Sequence, residues 1–304
     1  MLKTGTSKWK PQMSSRRTFS CIYVGLAMLS ALLAAFAIHA VESPLRVVYG
    51  SPVGPVPTPQ MYPYKMLKAA LDASGKPYQL QPANADMVQS RVLREIEQGN
   101  VDVYWSATSA EREASLRPIR VALDKGLNGW RILLIRKSDQ ARFAAMRTES
   151  SFRRLTFVQG HDWPDTPLLT ANGFKVLTAQ HPPAMFEMLL KHRADAFPRS
   201  VIEAFREQEN YPELMVEPKF VLVYPAAVYF FVNKSNDELA KRLEVGLKAI
   251  QQSGEFDRLF NERYGRSIQA ANLAQRQVIQ LDNPSIHILE QAGLGGNILK
   301  PAAH

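Results

Sequence analysis

From residue 45 onward the hydrophobic positions of the chain alternate between two kinds of run. Leu45-Arg46-Val47-Val48-Tyr49 is short, β-branched and apolar, and it stops at Gly50 and a Pro-rich loop through Pro59, which predicts a first strand. Met61–Ala73 then places apolar residues at helical spacing and closes at Gly75 and Pro77. Tyr78–Gln81 predicts a second strand. Met87–Gln98 repeats apolar positions at Val88, Val92, Leu93 and Ile96 before Gly99, a helix with a glycine stop. Val101–Trp105 predicts a third strand, with Ser106, Ala107, Thr108 and Ser109 at its C-terminal end.

A second series follows Gly126-Leu127-Asn128-Gly129. Arg131–Ile135, Leu155–Val158, Phe174–Thr178 and Asp195–Phe197 read as strands, and Pro183–Lys191 as a helix. Thr166 before Pro167 predicts a capped helix start, and Ser200 with Glu203 reads as a capping box. A β-rich stretch, Phe220–Val232, leads out. Ser235 with Glu238 suggests another capping box, opening a helix from Asn236 to about Gln252, and Phe256–Tyr264 a last helix. The tail after Ser267 is less periodic. Alternating strands and helices define an α/β fold. The units are too many for one small sheet, and no flexible linker divides them. Two lobes joined by crossover strands, one near residues 126–132 and a return near 220–228, account for both facts. The expected division is 41–128 for the first part of lobe 1, 129–222 for lobe 2, and 223–304 for the return to lobe 1 and the C-terminal tail.

The first forty residues form a separate element. Lys3, Lys8, Lys10, Arg16 and Arg17 precede an apolar run from Cys21 to Ile38 that ends in small residues, the layout of a secretory signal peptide over 1–40. An uncleaved membrane anchor is the competing reading, since the run of 18 residues sits at the lower edge of a bilayer span. Ser15-Arg16-Arg17-Thr18-Phe19 leaves Sec and twin-arginine export both open. The expected location is the periplasm. This segment also changes the charge. It carries five of the 37 basic residues and none of the 28 acidic ones, which leaves 32 against 28 in the remainder. A scattered excess of that size is not the clustered basic stripe of a nucleic-acid binder. The single cysteine, Cys21, lies inside the same segment, so no disulfide framework, thiolate nucleophile or Cys-based metal site is expected in the mature chain. His161, His181 and His192 lack metal-ligand spacing.

The candidate chemistry gathers at the predicted C-terminal ends of strands, where ligands of open α/β sheets bind. Ser106, Thr108 and Ser109 offer hydroxyls there, and the planar fork of Arg112 suits a carboxylate. An alternative for Arg112 is pairing with Glu111 or Glu113 at the surface. In the second series, Gly160-His161-Asp162-Trp163-Pro164-Asp165-Thr166 ends at a predicted helix N-terminus. His161, Asp162, Trp163, Asp165 and Thr166 are candidates for the facing wall, against the alternative that Asp165 and Thr166 only cap the helix. Tyr62, Tyr64 and Trp105 are candidates for stacking, and aromatic residues at strand ends also serve cores.

Several stretches resemble the amino-acid type (family 3) of bacterial extracellular solute-binding proteins. Gly99–Asp102 stands for a D-G-x-x-D turn, and Val103–Arg112 for a Ser/Thr-rich segment ending in T-x-x-R. Phe157-Val158-Gln159-Gly160, Arg193-Ala194-Asp195-Ala196-Phe197 and Gly254-Glu255-Phe256-Asp257 resemble further motifs of that family, in order, over about residues 45–265. Trp105–Glu113, Gly160–Thr166 and Phe197–Ser200 resemble a divergent branch of it. The resemblance implies a type 2 periplasmic-binding-protein fold, monomeric and without a cofactor. It also implies a small-molecule ligand bearing a carboxylate or an amino-acid-like group, clamped by Arg112, and the membrane permease of an ABC transporter as partner. One departure stands out. The family places an acidic residue near Phe197–Ser200 to meet the ligand ammonium, and this chain has Arg199. Facing the cleft, Arg199 would repel an ammonium and favour a dicarboxylate, an acidic amino acid or a peptide-like ligand; turned to solvent, it would do neither. No catalysis is expected. The rival readings are a dehydratase-like enzyme on the same scaffold, using Asp162, Asp165 or His161, and a ligand-sensing partner of a membrane receptor.

Overall fold

In the computed structural model the first strand, β1 (Leu45–Tyr49), forms over the run that alternation predicts, and parallel strands flank it on both sides. The structure describes residues 43–50, 60–83 and 87–283, together with Gly5. The signal-like segment, the Pro-rich loop over 51–59 and the tail beyond residue 283 lie outside the described residues. All elements below belong to one compact unit, residues 44–304.

The first sheet runs through α1 (Tyr62–Ala73), β2 (Tyr78–Pro82), α2 (Gln89–Glu97), β3 (Val103–Ala107), α3 (Ala110–Ser115) and β4 (Arg117–Ile119). The second set comprises β5 (Trp130–Arg136), α4 (Gln140–Ala144), α5 (Glu149–Arg153), β6 (Thr156–Gly160), α6 (Asp165–Ala171), β7 (Lys175–Ala179), α7 (Pro182–Leu190), β8 (Phe197–Ser200), α8 (Ala204–Gln208), β9 (Leu214–Val216) and β10 (Phe220–Val223). The chain then returns through β11 (Val228–Val232), α9 (Asp237–Gln252) and α10 (Glu255–Ala271), and it ends its described part in β12 (Gln277–Gln280).

The sheets show why two lobes form. The first has the order β2-β1-β3-β11-β4, with the returning β11 inserted antiparallel between β3 and β4. The second has the order β12-β10-β5-β8, with β9 also on β5 and the parallel pair β6-β7 alongside at a Phe157–Ala196 bridge. β5 is buried along its whole length, as befits a central strand covered on both faces. Phe143, Phe152, Phe157, Phe174 and Phe220 pack one face of this lobe with aromatic edges and faces. In the first lobe α1 lies against α9, closely enough that a side chain at Gly246 would overlap the Ala70 carbonyl oxygen.

The β-rich stretch of residues 220–232 is two strands in two sheets, because Tyr224–Ala227 crosses between them. This crossing is bonded to the first, residues 120–129. Tyr224 N–H donates to the Gly129 carbonyl (3.0 Å) and Leu123 N–H to the Val228 carbonyl (2.9 Å). The Asp124 carboxylate accepts from the Asn128 and Val228 amides at 2.7 and 3.0 Å. Gly129 is required at this approach, since any Cβ there would overlap the Tyr224 carbonyl oxygen.

The tail, which carries little periodicity, makes a third crossing. Past α10 the chain returns to the second sheet, where β12 pairs in parallel with β10, Leu222 opposite Ile279. Arg276 fixes it by donating to the carbonyls of Ala271 (2.6 Å) and Phe220 (2.9 Å) and to that of Glu217.

The three predicted helix starts need correction. Ser200 ends β8 and donates its hydroxyl to the Leu127 carbonyl (2.8 Å), so the next helix begins only at Ala204. Asn236, not Ser235, caps α9, accepting from the Leu239 amide at 3.1 Å. α6 starts at Asp165 behind Pro164, and the Thr166 hydroxyl donates instead to the Gly160 carbonyl (2.7 Å).

Candidate functional site

The C-terminal ends of β3, β6 and β8 and the first crossing enclose three adjoining cavities of about 370, 300 and 460 Å³. Trp163 and Asp165 wall the first two, Met61, Trp105, Glu203 and Val228 the second and third, and Asn128 all three.

Arg112 is buried at the junction of the first lobe's wall with the facing loop of the second. Ser109 caps α3 by accepting from the Arg112 amide (3.3 Å), which sets the helix so that the side chain turns back under β3. Its guanidinium donates to the Ser106 hydroxyl, to the Ala107 carbonyl (2.6 Å) and to Gln89 (2.6 Å), and across the cleft to the Asp162 carbonyl (3.3 Å). Every one of these acceptors is uncharged. Among the described residues no carboxylate lies within ion-pair distance of it, and burial pushes the guanidinium down from its usual range. The surface pairing with Glu111 or Glu113 does not form; Glu113 instead holds Arg120 (2.6 Å) and accepts from the Thr108 hydroxyl (2.5 Å). Of the three hydroxyl candidates, Ser106 and Ser109 therefore position Arg112 and Thr108 is bound to Glu113. Thr108 and Ser109 also border the first cavity, and Ser106 borders the second.

On the facing wall Asp162 is half-buried and borders the first cavity with exposed His161, whose Nδ1 stands 3.9 Å from its carboxylate. Asp165 is buried and accepts from Arg131 Nη2 (2.6 Å) and from the Tyr224 hydroxyl, which in turn accepts from Arg131 Nε at 2.8 Å. Burial drives the Tyr224 hydroxyl well above its ordinary range, so it remains a donor. Trp163 lies between Gly160 and the Arg199 guanidinium, which sits 4.8 Å from its ring. A Cβ at Gly160 would collide with the indole. Trp163 thus packs against its own lobe while bordering the first two cavities.

Arg199 lines the second cavity but is not an unbalanced cation. Nε and Nη2 each contact a different Glu207 oxygen at 2.6 Å, and Glu203 approaches at 3.1 Å. Glu203 also faces Arg131 at 3.5 Å. Of the two orientations open for Arg199, the buried one bordering the second cavity is found, and this pair of carboxylates balances its charge. Trp105 borders the second and third cavities and stacks on Tyr104. Tyr62 borders the third, but its hydroxyl donates to the Leu123 carbonyl (2.8 Å) and its ring packs on Phe260 and Tyr264; Tyr64 packs on Tyr49. Thr166 borders none of the three cavities.

Four residues of the site were not evident from sequence. Arg131 sits within an apolar run that reads as strand, Glu203 in an apparent capping box, and Tyr224 in a β-rich stretch. Asn128 offered a signal, a polar residue between two glycines at a lobe boundary. It is buried and borders all three cavities.

Among the described residues no helix is long and apolar enough to cross a membrane, and no group of three or more His, Cys, Asp or Glu side chains is placed to hold a metal ion. Neither a family model nor a curated protein sequence matches the chain. Solved structures do. The substrate binding protein of an amino acid ABC transporter aligns with a TM-score of 0.55 and 14% identity over 72% of this chain and 99% of its own. A Salmonella typhimurium periplasmic binding protein described as highly specific for arginine aligns with a TM-score of 0.56 and 12% identity, over 72% and 98%. A histidine kinase sensor domain described as similar to periplasmic binding proteins gives 0.55 and 13%, over 73% and 96%. At such identities the likeness establishes the fold: this chain has the two-lobe α/β architecture of the periplasmic binding proteins.

Proposed function

We propose that the protein is an exported, periplasmic solute-binding protein that captures a small polar, carboxylate-bearing ligand between its lobes for the membrane permease of an ABC transporter. The reading takes residues 1–40 as a signal peptide, residues 129–222 as the continuous part of lobe 2, to whose sheet β12 is added, and the working form as a monomer. One observation carries it: Arg112 is buried at the cleft, held by neutral acceptors and without a carboxylate of its own. A buried guanidinium is stabilised by an anion. With both Nη1 and both Nη2 protons given to the protein, a ligand carboxylate takes the remaining Nε–H and becomes bidentate by displacing Gln89 and the Asp162 carbonyl from Nη2. Asp162 and Glu111 border the same cavity, so a ligand carrying an ammonium beside its carboxylate finds both charges answered. The balance of Arg199 by Glu207 and Glu203 removes the objection to such a zwitterion. Asp165 is bonded to Arg131 and Tyr224, which favours a structural role over acid–base catalysis for that carboxylate.

Closure of the lobes on ligand would present the permease with a conformer it binds better than the open one. The experiment is a thermal-stability screen of the purified protein against amino acids and small carboxylates, with Arg112→Ala alongside. A ligand at about a hundredfold above its Kd should stabilise by about 2.7 kcal/mol, and Arg112→Ala should abolish the shift. No shift across the panel, or a shift that survives Arg112→Ala, would overturn the reading. The likeness to a histidine kinase sensor domain supports a second reading, in which the closed form signals to a membrane receptor. Pull-down of ligand-loaded protein with permease or receptor separates the two.

A further inference from the structure

The third cavity, on the far side of Asn128 from the first, has a charge arrangement that ligand capture at Arg112 does not explain. Arg206 reaches it from α8 in the second lobe and Arg263 from α10 in the first. Neither guanidinium has a hydrogen bond or an ion pair among the described residues, whereas Arg131, Arg199, Arg117 and Arg258 all have carboxylate partners. Arg263 is held below its usual range by burial and by the like charge of Arg206. Tyr264, about nine-tenths buried, lines the same cavity with the Arg263 guanidinium 5.3 Å from its ring, and its hydroxyl has no hydrogen-bond partner among the described residues. Burial also raises that hydroxyl, so it stays protonated and able to donate. The acidic groups at this cavity are already engaged: Asp124 accepts backbone amides and Glu203 faces Arg131 and Arg199.

We propose that this cavity is a second binding site, selective for a small oxyanion of the carboxylate or phosphate type, which bridges Arg206 of one lobe to Arg263 and the Tyr264 hydroxyl of the other. Two unpaired guanidiniums and a neutral donor converging on about 460 Å³ provide charge and directed hydrogen bonds for such a group. Because the cations belong to different lobes, their repulsion opposes approach of the lobes, and an anion between them reverses the sign. The anion is thus a closing element in its own right. It is either a free ion or the distal acid group of a ligand held at Arg112. A free-ion site stands on residues separate from Arg112 and can hold or fail without it, whereas a distal-group site rests on the reading of Arg112 as the carboxylate clamp.

The test measures thermal stability of the protein in inorganic phosphate against chloride at equal ionic strength, and in dicarboxylates of graded length. Wild type, Arg206→Gln, Arg263→Gln and Arg112→Ala are compared. A free-anion site predicts a Tm rise of about 2–4 °C at phosphate roughly tenfold over its Kd. That rise should be lost in Arg206→Gln and Arg263→Gln and kept in Arg112→Ala. A distal-group site predicts a rise with dicarboxylates only, lost in all three variants. Arg206 is exposed, and its replacement removes a repulsion, so Arg206→Gln without anion should be at least as stable as wild type. No rise with either probe, or a rise that persists in both Gln variants, overturns the proposal.

Discussion

Three buried guanidiniums, Arg112, Arg131 and Arg199, stand at the cleft, and their neighbours give them different work. Taking an arginine out of water costs several kcal/mol unless charge and hydrogen bonds compensate. Arg199 is balanced by two oxygens of Glu207, and Arg131 by Asp165 with Tyr224 bridging. Arg112 hydrogen-bonds neutral acceptors only, and Asp162 acts on it across the cleft by charge without an ion-pair contact, which leaves room for a ligand carboxylate at the guanidinium. Asp165→Asn keeps the shape but removes the charge opposite Arg131, leaving Glu203 at 3.5 Å as the nearest carboxylate. We expect it to lower unfolding stability by about 3 kcal/mol in urea denaturation. A loss below about 1 kcal/mol would mean that Glu203 carries the compensation. Arg112, Asp162 and Trp163 were legible because each lies in a short local motif at a strand end. Arg131 and Tyr224 were not, since their partnership spans 93 residues and no local pattern encodes it.

At the scale of elements, hydrophobic period located the predicted strands within about three residues but missed the short β4, β9 and β12 and ended α10 at Tyr264 instead of Ala271, and local capping patterns misled. Ser200 and Glu203 have the spacing of a capping box, yet the serine hydroxyl finds the Leu127 carbonyl and Glu203 turns to Arg199 and Arg131. Tertiary partners outcompete a cap worth about 1 kcal/mol. The packing of α1 against α9 was equally hidden, because Gly246 within a helical pattern looks like a weakness. It is the point where the helix meets the Ala70 carbonyl. Gly246→Ala would raise intrinsic helix propensity by up to about 1 kcal/mol, but its Cβ must push the two helices apart. Overpacking of this kind costs about 1–3 kcal/mol, so the net effect is expected to be destabilising by chemical denaturation. A stabilised variant would show that the helix pair yields at little cost.

Across the described residues three segments join the lobes, and they are not equivalent. The crossings at residues 120–129 and 224–227 are hydrogen-bonded to one another around Asp124 and Gly129, so they move as a single ribbon. The third, from α10 to β12, is anchored separately. Asn172 donates to the Asp282 carbonyl (2.7 Å) and accepts from the Asp282 amide (2.9 Å), while Arg276 draws the carbonyls of Ala271, Glu217 and Phe220 together. Among the described residues β12 has only β10 as a neighbour in its sheet, so its protection depends on those anchors. The weak period of the tail reflects this: an edge strand held by side-chain to backbone bonds needs no long apolar face. Arg276→Ala leaves the three carbonyls without their charged donor, at about 1.5–3 kcal/mol for each such bond in a buried setting. Loss of one such bond already speeds local opening by roughly ten- to a hundredfold. Hydrogen exchange of the amides over 277–281 should therefore accelerate by at least that factor in Arg276→Ala, with exchange in β1 and β3 unchanged. Equal acceleration in the first sheet would show instead that the third crossing is part of the global folding unit, and that the lobes do not unlatch on this side before the molecule unfolds.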